Sequence, residues 1–212
     1  GVAHEINNPL GVILGYAGYL EKKIPEDDPN FRFIHEIKRE SKRCKKIVQD
    51  LLSYARTPKP VLEQTDINRL LGQIIDFSTN HTDLHGVRIV RNLSYELPMI
   101  PADGDQLRQV AMNLILNAGA AMPDGGRIEV NTGIDDEKWA RIEFCDTGGG
   151  ISDENLEKIL EPLFTTRARG TGLGLAITKQ IIDQHQGEIF IDSIIDVGTT
   201  VVVRLPLERQ EY

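Results

Sequence analysis

The run DQLRQVAMNLILNAGAAMPDGGRIEVNTGIDDEKWARIEFCDTGGGI, residues 105–151, carries the pattern on which the fold turns. In its first third, Leu107, Val110, Leu114 and Ala118 recur at helical spacing, so the stretch from 105 to 122 is expected to be a long amphipathic helix. RIEVNTG and WARIEFC then alternate like strands, and Asp146 with three glycines follows the second strand directly. A carboxylate at a strand end can accept a hydrogen bond, and glycines let a ligand approach the backbone. A plain turn accounts for Asp-Thr-Gly equally well. On the helix, Asn113 and Asn117 are four residues apart and share a face. Asparagine prefers caps to helix interiors, so the pair asks for a reason. A solvated face is one reading; the other uses amide oxygens as ligands for a nucleotide-borne Mg²⁺.

Working outward, DINRLLGQIIDF reads as a helix capped by Asp66 and VRIVRNL as a strand. A helix near 153–161, another from about Leu173 to Gln184, and strands GEIFIDS and GTTVVVRLPL complete this half. The expected architecture is an α+β sandwich, a layer of helices over a mixed sheet. RGTGLGLAI, residues 169–177, sets Gly170, Gly172 and Gly174 at a helix start, where unpaired N–H groups and the positive end of the dipole favour phosphate. It lacks the GK[ST] of a P-loop, and no strand precedes it as a Rossmann fingerprint requires.

Upstream, Ala3, Ile6, Leu10, Ile13, Ala17, Leu20 and Ile24 recur at steps of three and four, and so do Ile34, Ile37, Ser41, Cys44, Val48, Leu51 and Ala55. PEDDPN separates the two seams, giving a helical hairpin. Each seam is wider than one partner helix covers, so two copies are expected to form a dimeric four-helix bundle; docking of the hairpin on its own second half is the alternative. TPKPVLEQ, with two prolines, ends the second helix and makes a semi-rigid linker. The expected domains are a hairpin over 1–56, a linker over 57–65 and a second domain over 66–212.

With 212 residues, 40% apolar and 26% charged, the chain has ordinary globular composition and room for one or two domains. A net charge of −8 with no basic stripe disfavours a nucleic-acid partner. Cys44 and Cys145 belong to no paired motif, which suits a reducing, cytoplasmic compartment. The longest uncharged stretch, NNPLGVILGYAGYL, is too short and glycine-rich to span a bilayer. The parent protein is expected to continue upstream, with a sensor or membrane region there.

The order of these motifs resembles that of sensor histidine kinases. NLILN, DTGGGI, EPLFTTR and GTGLGLAI look like the N, G1, F and G2 boxes, and HEINNPL, residues 4–10, resembles the phosphoacceptor H box. The resemblance covers essentially the whole chain. It implies a dimerisation and histidine phosphotransfer domain followed by a Bergerat-fold ATP-binding domain. It further implies ATP- and Mg²⁺-dependent autophosphorylation of His4, then transfer to an aspartate of a response regulator. By resemblance, Glu5 is the general base for His4, and Asn8, one turn on, positions water in a phosphatase reaction. Asp146 selects adenine, Gly148 and Gly150 shape its pocket, Asn117 ligates Mg²⁺ and Asn113 lies near the phosphates. Thr165, Thr166, Arg167, Arg169, Gly170, Thr171, Gly172, Leu173 and Gly174 belong to the lid and the phosphate-binding turn.

Asn113 stands where hydrolysing relatives resemble one another in carrying a glutamate base. An amide cannot take a proton from water near neutrality, so slow hydrolysis is expected. An ATPase of the same fold and a nucleotide-responsive interaction module are the competing readings; Asn113 opposes the first, and intact His4 and Glu5 oppose the second. Gly11, Gly15 and Gly18 continue the face of His4 and Asn8, leaving a bare strip. Close approach by the regulator's own helix, or a merely tolerated small face, would explain it.

Overall fold

The computed structural model describes residues 2–55, 58–78, 84–167 and 170–208, with the backbone alone for 2–4. The side chain of His4, all of Arg169 and the expected boundary at 56/57 therefore lie outside the described residues. The chain divides into two compact units, one of residues 1–56 with 163–173, the other of 57–162 with 174–212.

The first unit is a helical hairpin of α1 (Val2–Glu21) and α2 (Phe31–Ala55). Near the turn, the Glu21 carboxylate receives Lys38 and lies 3.3 Å from Nδ1 of His35, which ties the end of α1 to the start of α2. Pro9 lies inside α1 and has no N–H to offer the carbonyl of Glu5. The three-and-four spacing resolves into two heptad lines. Ala17, Ile34 and Ser41 are buried, and Leu10, Ile24 and Val48 are half-buried. On the other line Ile6, Ile13, Leu20, Ile37, Cys44 and Leu51 are exposed, Ile37 as much as 50%. One hairpin thus covers half of its own apolar seam.

The second unit is a five-stranded sheet in the order β2 (Val87–Asn92), β4 (Gly126–Asp135), β5 (Trp139–Asp146), β7 (Gly198–Pro206), β6 (Glu188–Ile194). The pairing of β2 with β4 is parallel and the rest antiparallel, which makes the sheet mixed as expected. Its inner row, Ile128, Val130, Ala140, Ile142, Phe144, Val203 and Leu205, is buried under α3 (Ile67–Ser78), α4 (Gly104–Ala120) and α6 (Gly174–Gln184). The outer row is polar and paired: Asn92 donates to Asn131 (2.9 Å), Asn131 to Glu143 (2.8 Å), and Arg204 to Asp135 (3.0 Å). Alternation at period two produces both faces.

Two expectations need correction. The helix expected over 153–161 is a single turn, α5 (Asp153–Leu156), continued by tight turns. Its N-cap residue Ser152 makes no capping bond, and Pro162 follows within a few residues, so too little chain remains to repay helix nucleation. Two short strands depart from the expected pattern: β1 (Glu63–Thr65), inside the expected linker over 57–65, pairs antiparallel with β3 (Ile100–Ala102). Three residues are too few for an alternation signal, and Pro101 conceals the second strand.

Asp103 organises the junction before α4. Its carboxylate accepts from the N–H groups of Asp105 (3.1 Å), Gln106 (3.0 Å) and Val61 (3.0 Å). Burial opposes the charge, but these backbone donors hold the carboxyl below its ordinary range. The Asp103 N–H donates to Nε2 of His185 (3.0 Å), so the ring proton sits on Nδ1, which donates to the carbonyl of Ile181 (2.8 Å). His185 is 5% exposed, and burial depresses its pKa against the pull of the Ile181 bond and Asp103.

A depressed histidine pKa means that the unfolded chain binds the proton more readily. The stabilisation is therefore complete above the unfolded pKa, about 6.5, and is lost as pH falls below it. Thermal melts of the second unit should decline over that acid range. In His185→Ala the decline should shrink, after a loss of about 1–3 kcal/mol at neutral pH from the orphaned Asp103 N–H. Equal pH slopes for the two proteins would contradict this.

Candidate nucleotide-binding site

The long helix α4 sets the first wall. Its buried stripe of Leu107, Val110, Leu114 and Ala118 fixes the rotation of the helix, which places half-buried Asn113 and Asn117 one turn apart on its flank. The Asn113 amide donates to the carbonyl of Gly174, the first residue of α6, at 3.3 Å. A Cβ built on Gly174 would lie 3.9 Å from Nδ2 of Asn117 and 4.0 Å from Cγ of Asn113. Both asparagines therefore border the N-terminus of α6, where backbone N–H groups lack helical partners and the dipole is positive.

The second wall is the turn after β5. Asp146 is the last residue of that strand, held in register between Ile128 of β4 and Thr199 of β7. Its Oδ1 accepts from the N–H of Gly148 (2.8 Å), which curls the chain back over the carboxylate. A Cβ on Gly148 would meet Cβ of Ala121 at 2.7 Å, just past the C-terminal end of α4. Gly149 uses both backbone groups: its N–H donates to the Ala121 carbonyl (3.3 Å), and its carbonyl accepts from the N–H of Asp196 (3.0 Å). Gly150 has φ +70°, and a Cβ there would lie 2.2 Å from the carbonyl oxygen of Ile194. Ala121 in turn donates to the carbonyl of Asn117 (3.2 Å), so turn and helix share one anchor.

The second unit thus gathers Asn113, Asn117, Asp146, Gly148, Gly150 and Gly174 around the end of α4 and the start of α6. The other expected residues belong to the first unit. Segment 163–173 folds on itself: the N–H of Leu163 donates to the carbonyl of Gly172 (2.9 Å), and the N–H of Arg167 to the hydroxyl of Thr165 (3.1 Å). Gly172 has φ +69°, and a Cβ on Gly170 would lie 2.3 Å from Oγ1 of Thr165. Leu173 is fully buried, Thr166 and Arg167 are exposed, and the Thr171 hydroxyl donates to Asp50 on α2 (2.8 Å). Glu5 and Asn8 are exposed on α1.

Among the described residues no cluster of three or more His, Cys, Asp or Glu side chains could hold a metal ion. The donor chemistry fits Mg²⁺ carried by a phosphate ligand, for which one protein carbonyl oxygen suffices. The fit to adenine rests on the Asp146 carboxylate at the end of β5, which can accept from an exocyclic amine. Motif reading missed Ser193, whose hydroxyl accepts from the N–H of Ile151 at 2.8 Å. Its signal was a polar residue on the row of β6 otherwise held by Ile189 and Ile191.

Known proteins place the chain in a family. Residues 102–209 match the family model described as histidine kinase-, DNA gyrase B- and HSP90-like ATPase, and residues 1–59 match the His Kinase A (phospho-acceptor) domain. The chain belongs to this ATPase family and, with the phospho-acceptor domain joined to it, to its sensor histidine kinase branch. It is 34% identical over 207 residues to the sensor histidine kinase ZraS of Escherichia coli, covering 98% of this chain and 44% of that one. Full-length ShkA in complex with AMPPNP is similar with a TM-score of 0.76 and 25% identity, over 100% of this chain and 46% of that one. Histidine kinase ThkA, in complex with response regulator protein TrrA, is similar with a TM-score of 0.72 and 27% identity, over 97% of this chain and 60% of that one. The chain spans less than half the length of the curated relatives it matches.

The crowding at the turn makes a direct prediction. Gly150→Ala places a side chain in left-handed backbone, about 1–2 kcal/mol, and against the Ile194 carbonyl, about 1–3 kcal/mol more. The second unit should melt correspondingly lower and bind ADP more weakly. A Gly150→Ala protein with unchanged melting and affinity would refute the crowding.

Proposed function

We propose that this chain transfers the γ-phosphoryl group of ATP to the imidazole of His4 and then to an aspartate of a response regulator receiver domain. The observation that carries the reading is the Asn113 amide, bonded to Gly174 at the start of α6, where a hydrolytic relative would need a base. Asn113 lines the phosphate end without activating water, so the phosphoryl group waits for another nucleophile. The phospho-acceptor domain over residues 1–59 supplies one on the same chain.

In this reading Asp146 accepts from the exocyclic amine of adenine, and Gly148 and Gly150 shape the pocket. Asn117 holds Mg²⁺, which supplies neutralisation of phosphate charge. The backbone around Gly170, Gly172, Leu173 and Gly174, with the hydroxyls of Thr165, Thr166 and Thr171, contacts the phosphates. Arg167 and Arg169 meet the charge that spreads over the transferring phosphoryl oxygens. One imidazole nitrogen of His4 attacks phosphorus, ADP departs, and the proton on the other nitrogen passes to the carboxylate of Glu5. In a separate reaction Asn8 orients a water toward phosphorus of the regulator's phospho-aspartate; inorganic phosphate leaves and the aspartate carboxylate is restored, giving phosphatase activity.

The exposed heptad line of Ile6, Ile13, Leu20, Ile37 and Leu51 supports a homodimer in which two hairpins close a four-helix bundle. The face of Gly11, Gly15 and Gly18 supports docking of the receiver domain: a Cβ on any of the three meets nothing within 4 Å, so no packing among the described residues accounts for them. The regulator bound to ThkA lends this partner class its precedent. No helix among the described residues is long and apolar enough to cross a membrane. The kinase reading, which needs cellular ATP and a receiver domain, assigns the segment to the cytoplasm. The proposed domains are residues 1–56, with a linker over 57–65, and 66–212.

Incubation with γ-labelled ATP and Mg²⁺ tests the proposal. Label should enter the protein, leave in acid, survive base, and be absent from His4→Gln. Release of free phosphate with no labelled protein would overturn the transfer and favour an ATPase.

A further inference from the structure

We propose that Ser193 is a positioning residue for the nucleotide, holding the 147–151 turn in the shape that receives adenine; this rests on the reading of Asp146 and its glycines given above. Ser193 lies on β6 and pairs in register with Thr199 of β7. A hydroxyl has one proton and two lone pairs, and here all three are used. Ser193 accepts from the N–H of Ile151 (2.8 Å), donates to the carbonyl of Gly198 (3.0 Å), and lies 2.9 Å from the Thr199 hydroxyl, which can donate to it.

Those partners set the turn at both of its ends. Gly198 presses against Asp146: its φ is +143°, and a Cβ there would lie 1.9 Å from the Asp146 carbonyl oxygen. Ile151 is the residue at which the chain leaves the glycine run, immediately after Gly150, itself in left-handed backbone against Ile194. One side chain therefore ties the exit of the turn to the strand pair that flanks its entry. The opposite side is held by α4, through the Gly149 N–H on the Ala121 carbonyl. With Ser193 removed, Ile151 loses its acceptor, and the glycines, which resist bending less than other residues, keep the Asp196 N–H on the Gly149 carbonyl as a bond to the β6–β7 hairpin while the exit of the turn is freed.

Asp146 stays fixed by β4 and β7 in this scheme, and nothing in the phosphate half changes. The expected phenotype is weaker nucleotide binding with normal chemistry once the site is filled. Isothermal titration with Mg²⁺ and ADP should show about a tenfold weaker affinity for Ser193→Ala and Ser193→Val. Ser193→Thr, which keeps the hydroxyl and is isosteric with valine, should stay within about twofold of the parent. At saturating ATP, the His4 labelling rate of all three should stay within about twofold. Amide exchange at Ile151 should accelerate in the alanine and valine proteins alone.

Equal affinity in the parent and Ser193→Ala would overturn the inference. So would threonine losing as much as valine, or a maximal rate falling in step with affinity. A parent protein that binds no nucleotide would remove the reading beneath the inference as well as the inference, whereas equal affinities remove the inference alone.

Discussion

Close backbone approach at the end of β5 is the constraint around which the second unit is arranged. Asp146 is fixed between two neighbouring strands, and the chain must leave it between the end of α4 and the β6–β7 hairpin. At 148, 150 and 198 the neighbouring atoms stand nearer than any Cβ tolerates. Glycine there is a packing requirement. The same packing brings Ala121, one turn beyond Asn117, against Gly148. The proposed adenine end and phosphate end of the site are thereby tied to one helix. Rotation of α4 would move both, and its four-residue apolar stripe prevents that rotation.

Much of this could be read before any coordinates. Four apolar residues at helical spacing announced α4, and the asparagines on its flank were legible because they break the preference of that residue for caps. Asp146 and its glycines stood out directly after an alternating strand. The features that stayed hidden are of two kinds. β1, β3 and the brevity of α5 turn on segments of three or four residues, below the length at which periodicity says anything. Asp103, His185 and Ser193 act through contacts between residues far apart in sequence, 82 for the Asp103–His185 bond and 42 for Ile151–Ser193, and no local pattern encodes those.

The hairpin illustrates a different limit. Spacing of three and four marks an apolar seam but does not say which half a helix spends on its own partner. The structure divides it: Ala17, Ile34 and Ser41 face inward, while Ile13, Ile37 and Leu51 remain exposed. A seam covered on one line and open on the other is what a half-assembled bundle leaves. His4 and Glu5 lie in the first turns of α1, and Pro9, four residues after Glu5, has no N–H to offer its carbonyl. The glycine strip runs along the same helix.

The central claim is that α4, the turn after Asp146 and the start of α6 together form one nucleotide site. Hydrogen exchange of the whole chain, with and without Mg²⁺ and AMPPNP, tests it most directly. The account predicts added protection at residues 113–121, 146–151 and 174–176. It leaves the polar outer face of the sheet, around Asn131 and Arg204, unchanged. Protection of that outer face with none at the glycine turn would contradict it.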